Sequence, residues 1–183
     1  AKDNKLFLLS TKREKLETLK NEALALGSLN VEIIEADLQH PINISALMPE
    51  SIDMIINVVC ASSSLKNYNI EPHRHQYYTA VDLSSPLVIL EHFLKEKSKQ
   101  GEHTQLYYIF INTILSKIKS PDYSIYYSYK ILQQEYMSGL QRKYGDILKS
   151  INVIVGTQID RTKETKKTVD LANRIKLAIK RNE

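Results

Sequence analysis

The sequence predicts an α/β fold, a doubly wound parallel sheet with helices on both faces. Three observations predict it. Short apolar runs alternate with longer amphipathic stretches from Lys5 to Lys180. The strongest of these runs are continuous, as in strands covered on both faces, where a half-exposed strand would alternate. The length of 183 residues, 43% of them hydrophobic, suits one domain (residues 1–183) with one sizeable core.

Lys5-Leu6-Phe7-Leu8-Leu9 reads as the first buried strand. From Lys12 to Leu26, leucines at 16, 19, 24 and 26 stand among charges, which predicts an amphipathic helix. Gly27 is its stop signal. Val31 to Glu35 is the second strand and runs into Ala36-Asp37-Leu38. Pro41 breaks the chain, and Ile44 to Met48 is a short helix. Ile52 to Cys60 reads as a third strand, apolar along its length. Ala61 to Pro72 is polar and reads as a loop. A long helix is expected from Tyr77 to Lys97, kinked at Pro86. After a turn at Gly101 to Thr104, Leu106 to Ile111 is the fourth strand, and a loop runs through Pro121. Tyr123 to Arg142 is a further helix, Ile151 to Val155 a fifth strand ended by Gly156, and Thr168 to Lys180 a last amphipathic helix.

Composition narrows the function classes. The net charge is +4, but lysines and glutamates are mixed, which reads as solvated faces and not as a nucleic-acid footprint. No apolar run approaches the ~20 residues of a membrane span. Ala1-Lys2-Asp3-Asn4 has no secretory-leader pattern. Cys60 is the sole cysteine, so no internal disulfide can form and a reducing compartment suits the chain. The expected location is the cytoplasm, with neither nucleic acid nor membrane as a partner.

The chemistry-bearing stretch is Ser124-Ile125-Tyr126-Tyr127-Ser128-Tyr129-Lys130. On a helix, Tyr126 and Lys130 share a face one turn apart. An ammonium beside a phenol favours the phenolate, so the tyrosine is expected below its usual pKa of about 10. No other tyrosine has a lysine four residues on. A solvated helix face or an aromatic packing stripe is the plain alternative. Asp37, Asn57, Cys60, Thr113 and Gly156 fall at or near strand ends, where sites of open α/β sheets lie.

Taken in order, these pieces resemble a short-chain dehydrogenase/reductase, a Rossmann-like fold. The pieces are the basic turn after the first strand, Glu35-Ala36-Asp37-Leu38, Ile52-Asp53-Met54-Ile55-Ile56-Asn57, Ala80-Val81-Asp82-Leu83, Ile109-Phe110-Ile111-Asn112-Thr113, Tyr126 with Lys130, and Ile154-Val155-Gly156-Thr157. The resemblance implies hydride transfer between NADP(H), with NAD as the alternative, and a small carbonyl or secondary-alcohol substrate. Tyr126 would be the general acid, and Lys130 would hold the nicotinamide ribose and depress the tyrosine pKa. Thr113 stands where the family has a serine that bonds the substrate oxygen. Asp82 stands where it has the asparagine of its catalytic tetrad. Ser10, Lys12 and Arg13 would meet a 2′-phosphate, while Asp37 and Leu38 would hold the adenine. Asn57, Lys130 and Gly156 would complete the cofactor site.

The resemblance also implies a strand and glycine-rich turn before Ala1, so the fold is expected to be incomplete at the N-terminus. Its middle would then show two unpaired edges across an apolar gap. A further strand is usual in the family beyond Lys180. The helices beginning at Tyr77 and Tyr123 would form a homodimer or homotetramer interface. The residues alone leave plainer roles open. Thr113 would satisfy a strand end, Asp37 would form a turn, and Lys12 and Arg13 would be solvated charges. Cys60 reads as a buried, inert thiol. His73 and His75, near Glu71, read as loop residues before metal ligands. A catalytically inactive relative, working as a binding or scaffolding subunit, is the alternative function.

Overall fold

The computed structural model describes residues 4–61, 72–100, 105–114, 117, 124–155, 173–177 and 179. Strand β1 (Lys5–Ser10) leads into helix α1 (Arg13–Ala25). Gly27, at φ 92°, stops α1. The Gly27 N–H reaches the Leu24 carbonyl and the Ser28 N–H the Ala23 carbonyl, both at 3.0 Å. That pattern caps the last carbonyls and needs a left-handed residue, which glycine supplies without steric cost.

Strand β2 (Asn30–Glu35) pairs in parallel with β1, Leu6 opposite Val31 and Ser10 opposite Glu35. A single helical turn, α2 (Pro41–Ile44), and a 3-10 turn (Ser45–Leu47) follow. Strand β3 (Met54–Asn57) is shorter than the apolar run that predicted it. The Asn57 side chain ends it by accepting the Val59 N–H at 3.0 Å, which turns the chain away. Met54 and Ile56 remain exposed, so the strand is not covered on both faces as expected.

Helix α3 (Pro72–Thr79) starts five residues before its predicted beginning. Proline is well suited to a first helical position, where its missing N–H costs nothing. A π-helical turn (Ala80–Ser84) joins α3 to α4 (Ser85–Gln100). The irregularity was expected at Pro86 and lies one turn before it. Proline lacks an N–H and crowds the carbonyl four residues back, which is that of Asp82. That carbonyl is instead taken by the Gln133 side-chain amide.

Strand β4 (Leu106–Thr113) and strand β5 (Leu148–Val155) are each longer than predicted, β5 by three residues at its start. The extension is paired, Leu106 opposite Leu148, and its polar Lys149 and Ser150 hid it in the sequence. Between them runs α5 (Ser124–Lys143). Residues 173–177 are helical, within the predicted last helix; the rest of that prediction lies outside the described residues.

All pairings are parallel, but the strands form two sheets, β1-β2 and β3-β4-β5. Among the described residues β1 and β3 each pair on one side only. Side chains bridge the division. Ala36, Leu38, Ile44 and Val81 cluster with Leu9 and Ile34 from one sheet and Val59 from beyond β3. The Ser85 hydroxyl adds a bond to the Leu38 carbonyl at 2.6 Å. The main core lies where α4 and α5 cover β4: Leu90, Phe93 and Leu94 meet Tyr108 and Phe110, with Met137 and Leu140 beside them. Each such side chain contributes about 1.5–3 kcal/mol on burial. This wall fixes β4 and α5, the two elements that carry Thr113 and Tyr126.

Candidate active site

The first turns of α5 carry Tyr126 and Lys130 on one face, as their spacing requires. Tyr126 lies within reach of Thr113, at the carboxyl end of β4, and of Cys60, beyond the end of β3, so that both act on its hydroxyl. Asp82, from the π turn, is close enough to act on Tyr126 and Lys130 through its charge. The four residues assigned to catalysis, Tyr126, Lys130, Thr113 and Asp82, therefore meet at one place.

The tyrosine does not titrate as expected. Burial raises the Tyr126 pKa, the neighbouring Cys60 raises it further, and the Thr113 hydrogen bond only partly opposes them. The expected lowering by Lys130 is absent because the ammonium faces elsewhere. Its Nζ donates to the Val59 carbonyl at 3.1 Å and lies 5.0 Å above the Phe110 ring. Lys130 is 2% exposed. Burial lowers its own pKa, against the opposing pull of Cys60 and Asp82.

Asp82 is 1% exposed and does structural work: its Oδ1 accepts the Ala61 N–H at 2.6 Å. It thereby pins the segment after β3 from one side while Lys130 pins it from the other. Asn57 is also fully engaged, donating to the Tyr108 hydroxyl at 2.8 Å while accepting from Val59. Burial pushes the Tyr108 phenol up to about 12, so it stays neutral.

The residues assigned to the adenine end divide. Ser10, Asp37 and Leu38 line a cavity of about 180 Å³ with Leu9, Thr11 and Val59. This cavity lies at the carboxyl ends of β1 and β2 and beside Val59, just beyond β3. Asp37 also shapes a turn, its two oxygens accepting the Gln39 backbone and side-chain N–H groups at 2.9 Å each. Lys12 and Arg13 do not line the cavity. Arg13 is exposed and pairs with Glu35 at 3.5 Å and Glu17 at 3.7 Å. Gly156 lies outside the described residues. A larger cavity of about 610 Å³, lined in part by His40, His73, Arg74 and Tyr77, does not include Tyr126. His73 and His75 sit on α3 and not in a loop. Glu71 lies outside the described residues, among which no three His, Cys, Asp or Glu side chains could hold a metal.

Sequence reasoning missed three participants. Cys60 was read as an inert buried thiol, yet it is half-buried and near enough to Tyr126 to act on its hydroxyl. Gln133 and the Val59 carbonyl gave no signal, since a lone glutamine and a valine are unremarkable in sequence. Tyr129, from the aromatic cluster, packs with its hydroxyl 2.9 Å from the Thr79 hydroxyl.

No family model matches the sequence, and no curated protein matches it. Solved structures do. One is the bulky-bulky ketone specific alcohol dehydrogenase from Comamonas testosteroni, at TM-score 0.82 and 14% identity, covering 98% of this chain and 74% of that one. Another is a short-chain dehydrogenase from Sphingobium yanoikuyae in complex with NADPH, at 0.82 and 15%, covering 99% and 76%. A third is the NADH-dependent reductase A1-R' complexed with NAD, at 0.69 and 14%, covering 85% and 79%. At these identities the likeness is one of fold: the chain has the Rossmann-like α/β fold of short-chain dehydrogenases/reductases.

Proposed function

We propose that the chain is a short-chain dehydrogenase/reductase that moves hydride between NADP(H), or alternatively NAD(H), and a small carbonyl or secondary-alcohol substrate. The observation that carries this reading is the meeting of Tyr126 and Thr113 at the carboxyl end of the sheet, with Lys130 one turn along α5 from the tyrosine. The bound nicotinamide supplies the hydride. The chain's residues supply the rest. A carbonyl oxygen seated between the Tyr126 and Thr113 hydroxyls accepts a hydrogen bond from each. Negative charge grows on that oxygen as the carbon is reduced, and Tyr126 passes it a proton. Burial keeps Tyr126 protonated, which suits an acid, and limits water around it.

The cofactor fit is partial. The cavity beside Ser10, Asp37 and Leu38 suits a purine, and Asp37 keeps lone pairs for its amine. Lys130 is placed for a ribose, with Asn57 and Gly156 assigned by the resemblance. Among the described residues no glycine-rich turn offers backbone N–H groups to a pyrophosphate. With Arg13 shared between two carboxylates, preference for NADP(H) rests chiefly on Lys12.

One observation favours the second reading, an inactive binding or scaffolding subunit: the Lys130 ammonium is already held by a backbone carbonyl. The deciding experiment mixes wild type and Tyr126→Phe with NADPH and a panel of ketones and follows NADPH absorbance. Ketone-dependent loss of NADPH by the wild type alone supports the enzyme. Nucleotide binding without turnover supports the scaffold.

The assembly proposed is a homodimer or homotetramer through α4 and α5. These helices leave Val88, Leu132 and Tyr136 exposed, and the Tyr136 hydroxyl donates to Glu91 across them. Light scattering on the purified chain tests it. The proposal takes residues 1–183 as one domain in the cytoplasm. No helix among the described residues is long and apolar enough to cross a membrane.

A further inference from the structure

We propose that Asn112 is a positioning residue of this site: its side chain receives the Thr113 backbone N–H and, through Gln134, ties the carboxyl end of β4 to α5, which fixes where the Thr113 hydroxyl stands. The catalytic meaning rests on the oxidoreductase reading above, while the hydrogen bonds stand without it.

The need arises where the β3–β4 ladder stops. Tyr107 stands opposite Met54, and its N–H donates to the Asp53 carbonyl at 2.8 Å. In a parallel ladder every second residue bonds the same neighbour, so the same rhythm continued would bring the Thr113 N–H to the Val59 carbonyl. Strand β3 ends at Asn57, however, and the Val59 carbonyl receives Lys130 Nζ at 3.1 Å. Thr113 is buried, and a buried N–H without an acceptor is costly. The Asn112 Oδ1 accepts it at 2.7 Å.

An asparagine at the end of the apolar run Ile109-Phe110-Ile111 is costly to bury unless both ends of its amide are bonded. Asn112 is 2% exposed, and its Nδ2 donates to Gln134 Oε1 at 3.4 Å. Asn152, which stands opposite Phe110 on β5, donates to the same oxygen at 3.3 Å. Gln134 lies one turn after Lys130 and two turns after Tyr126 on α5. The helix that carries the tyrosine is thereby held to the strand that carries the threonine. The bond to the Thr113 N–H is the stronger hold, and the longer bonds to Gln134 are the weaker. A leucine in place of Asn112 would fill similar space and make neither.

Amide hydrogen exchange followed by NMR on the full chain reads the hold directly. In Asn112→Ala the Thr113 N–H should exchange about three- to tenfold faster, the scale of one neutral hydrogen bond. The Ile114 N–H, held by the Val155 carbonyl at 3.1 Å, should change less than about twofold. Asn112→Asp keeps an acceptor in place and should hold the Thr113 N–H at or below the wild-type rate. Should Asn112→Ala fail to fold, Asn112→Leu, closer in shape, takes its place. No change at Thr113, or an equal change at Ile114, overturns the proposal. A second arm follows ketone reduction with NADPH. Asn112→Ala should lose roughly tenfold in kcat while the KM for NADPH stays within about twofold. In a Thr113→Val background the same change should cost less than about twofold in kcat. Equal losses in the two backgrounds overturn the positioning role, because a merely structural residue would lower both alike. Gln134→Met should show the same pattern on a smaller scale. If the wild type reduces no ketone, the oxidoreductase reading fails, and the exchange rates still decide whether Asn112 holds Thr113.

Discussion

Gln133 and Pro86 should be energetically coupled, although only Pro86 gave a signal in the sequence. Pro86 cannot donate to the Asp82 carbonyl, and the buried Gln133 amide donates to it instead. Replacing Gln133 with Leu removes a buried hydrogen bond to that carbonyl, which costs about 1–3 kcal/mol. At about 2–4 °C per kcal/mol for a chain of this size, the melting temperature should fall by roughly 2–12 °C. In a Pro86→Ala background the alanine N–H can return to the Asp82 carbonyl, and the same Gln133→Leu change should cost less than about 1 kcal/mol. The Gln133 Oε1, which has no partner, is removed in both backgrounds and cancels from the comparison. The double-mutant cycle should therefore show about 1–2 kcal/mol of coupling in thermal or urea unfolding. Equal costs in the two backgrounds, within about 0.5 kcal/mol, would refute this account of the π turn.

Other expectations follow from the titrating groups. Tyr126 has a raised pKa in the fold, so its stability contribution is complete below the unfolded value of 10.0 and lost as pH rises above it. Wild type should lose melting temperature relative to Tyr126→Phe only above about pH 10, as calorimetry can check. Lys130 has the opposite sign. Its lowered pKa penalises the fold while the amine is charged, and the penalty fades as pH rises toward the usual lysine value of 10.5. Lys130→Met should accordingly fare better against wild type at neutral pH than in alkali in the same assay. In steady-state kinetics, carbonyl reduction should stay level from neutral pH to about 10, since Tyr126 remains protonated there. Alcohol oxidation should climb across the same range, as the base form becomes commoner.

The fold was legible where one signal sufficed. Gly27 stopped α1 because its left-handed backbone is a local requirement. The four-residue spacing put Tyr126 and Lys130 on one face because helical geometry alone demands it. What could not be read depended on contacts between distant segments. Where Lys130 points is decided by the Val59 carbonyl, 71 positions away, and by the Phe110 ring. The direction of the Tyr126 shift followed from burial, which no spacing encodes. Pro86 announced an irregular helix, but its position and form were set by a glutamine on another helix. The end of β3 was hidden because Val58 and Val59 continue the apolar run, whereas Asn57 stops the strand through its own side chain.

Hydride transfer is the central claim, and isotope transfer tests it most directly. NADPH carrying deuterium at the transferable position is incubated with the protein and a reducible ketone, and the alcohol product is examined by mass spectrometry. The account predicts deuterium on the carbinol carbon with wild type, and product near the background level with Tyr126→Phe. Unlabelled product, or equal labelling by the two proteins, would contradict it.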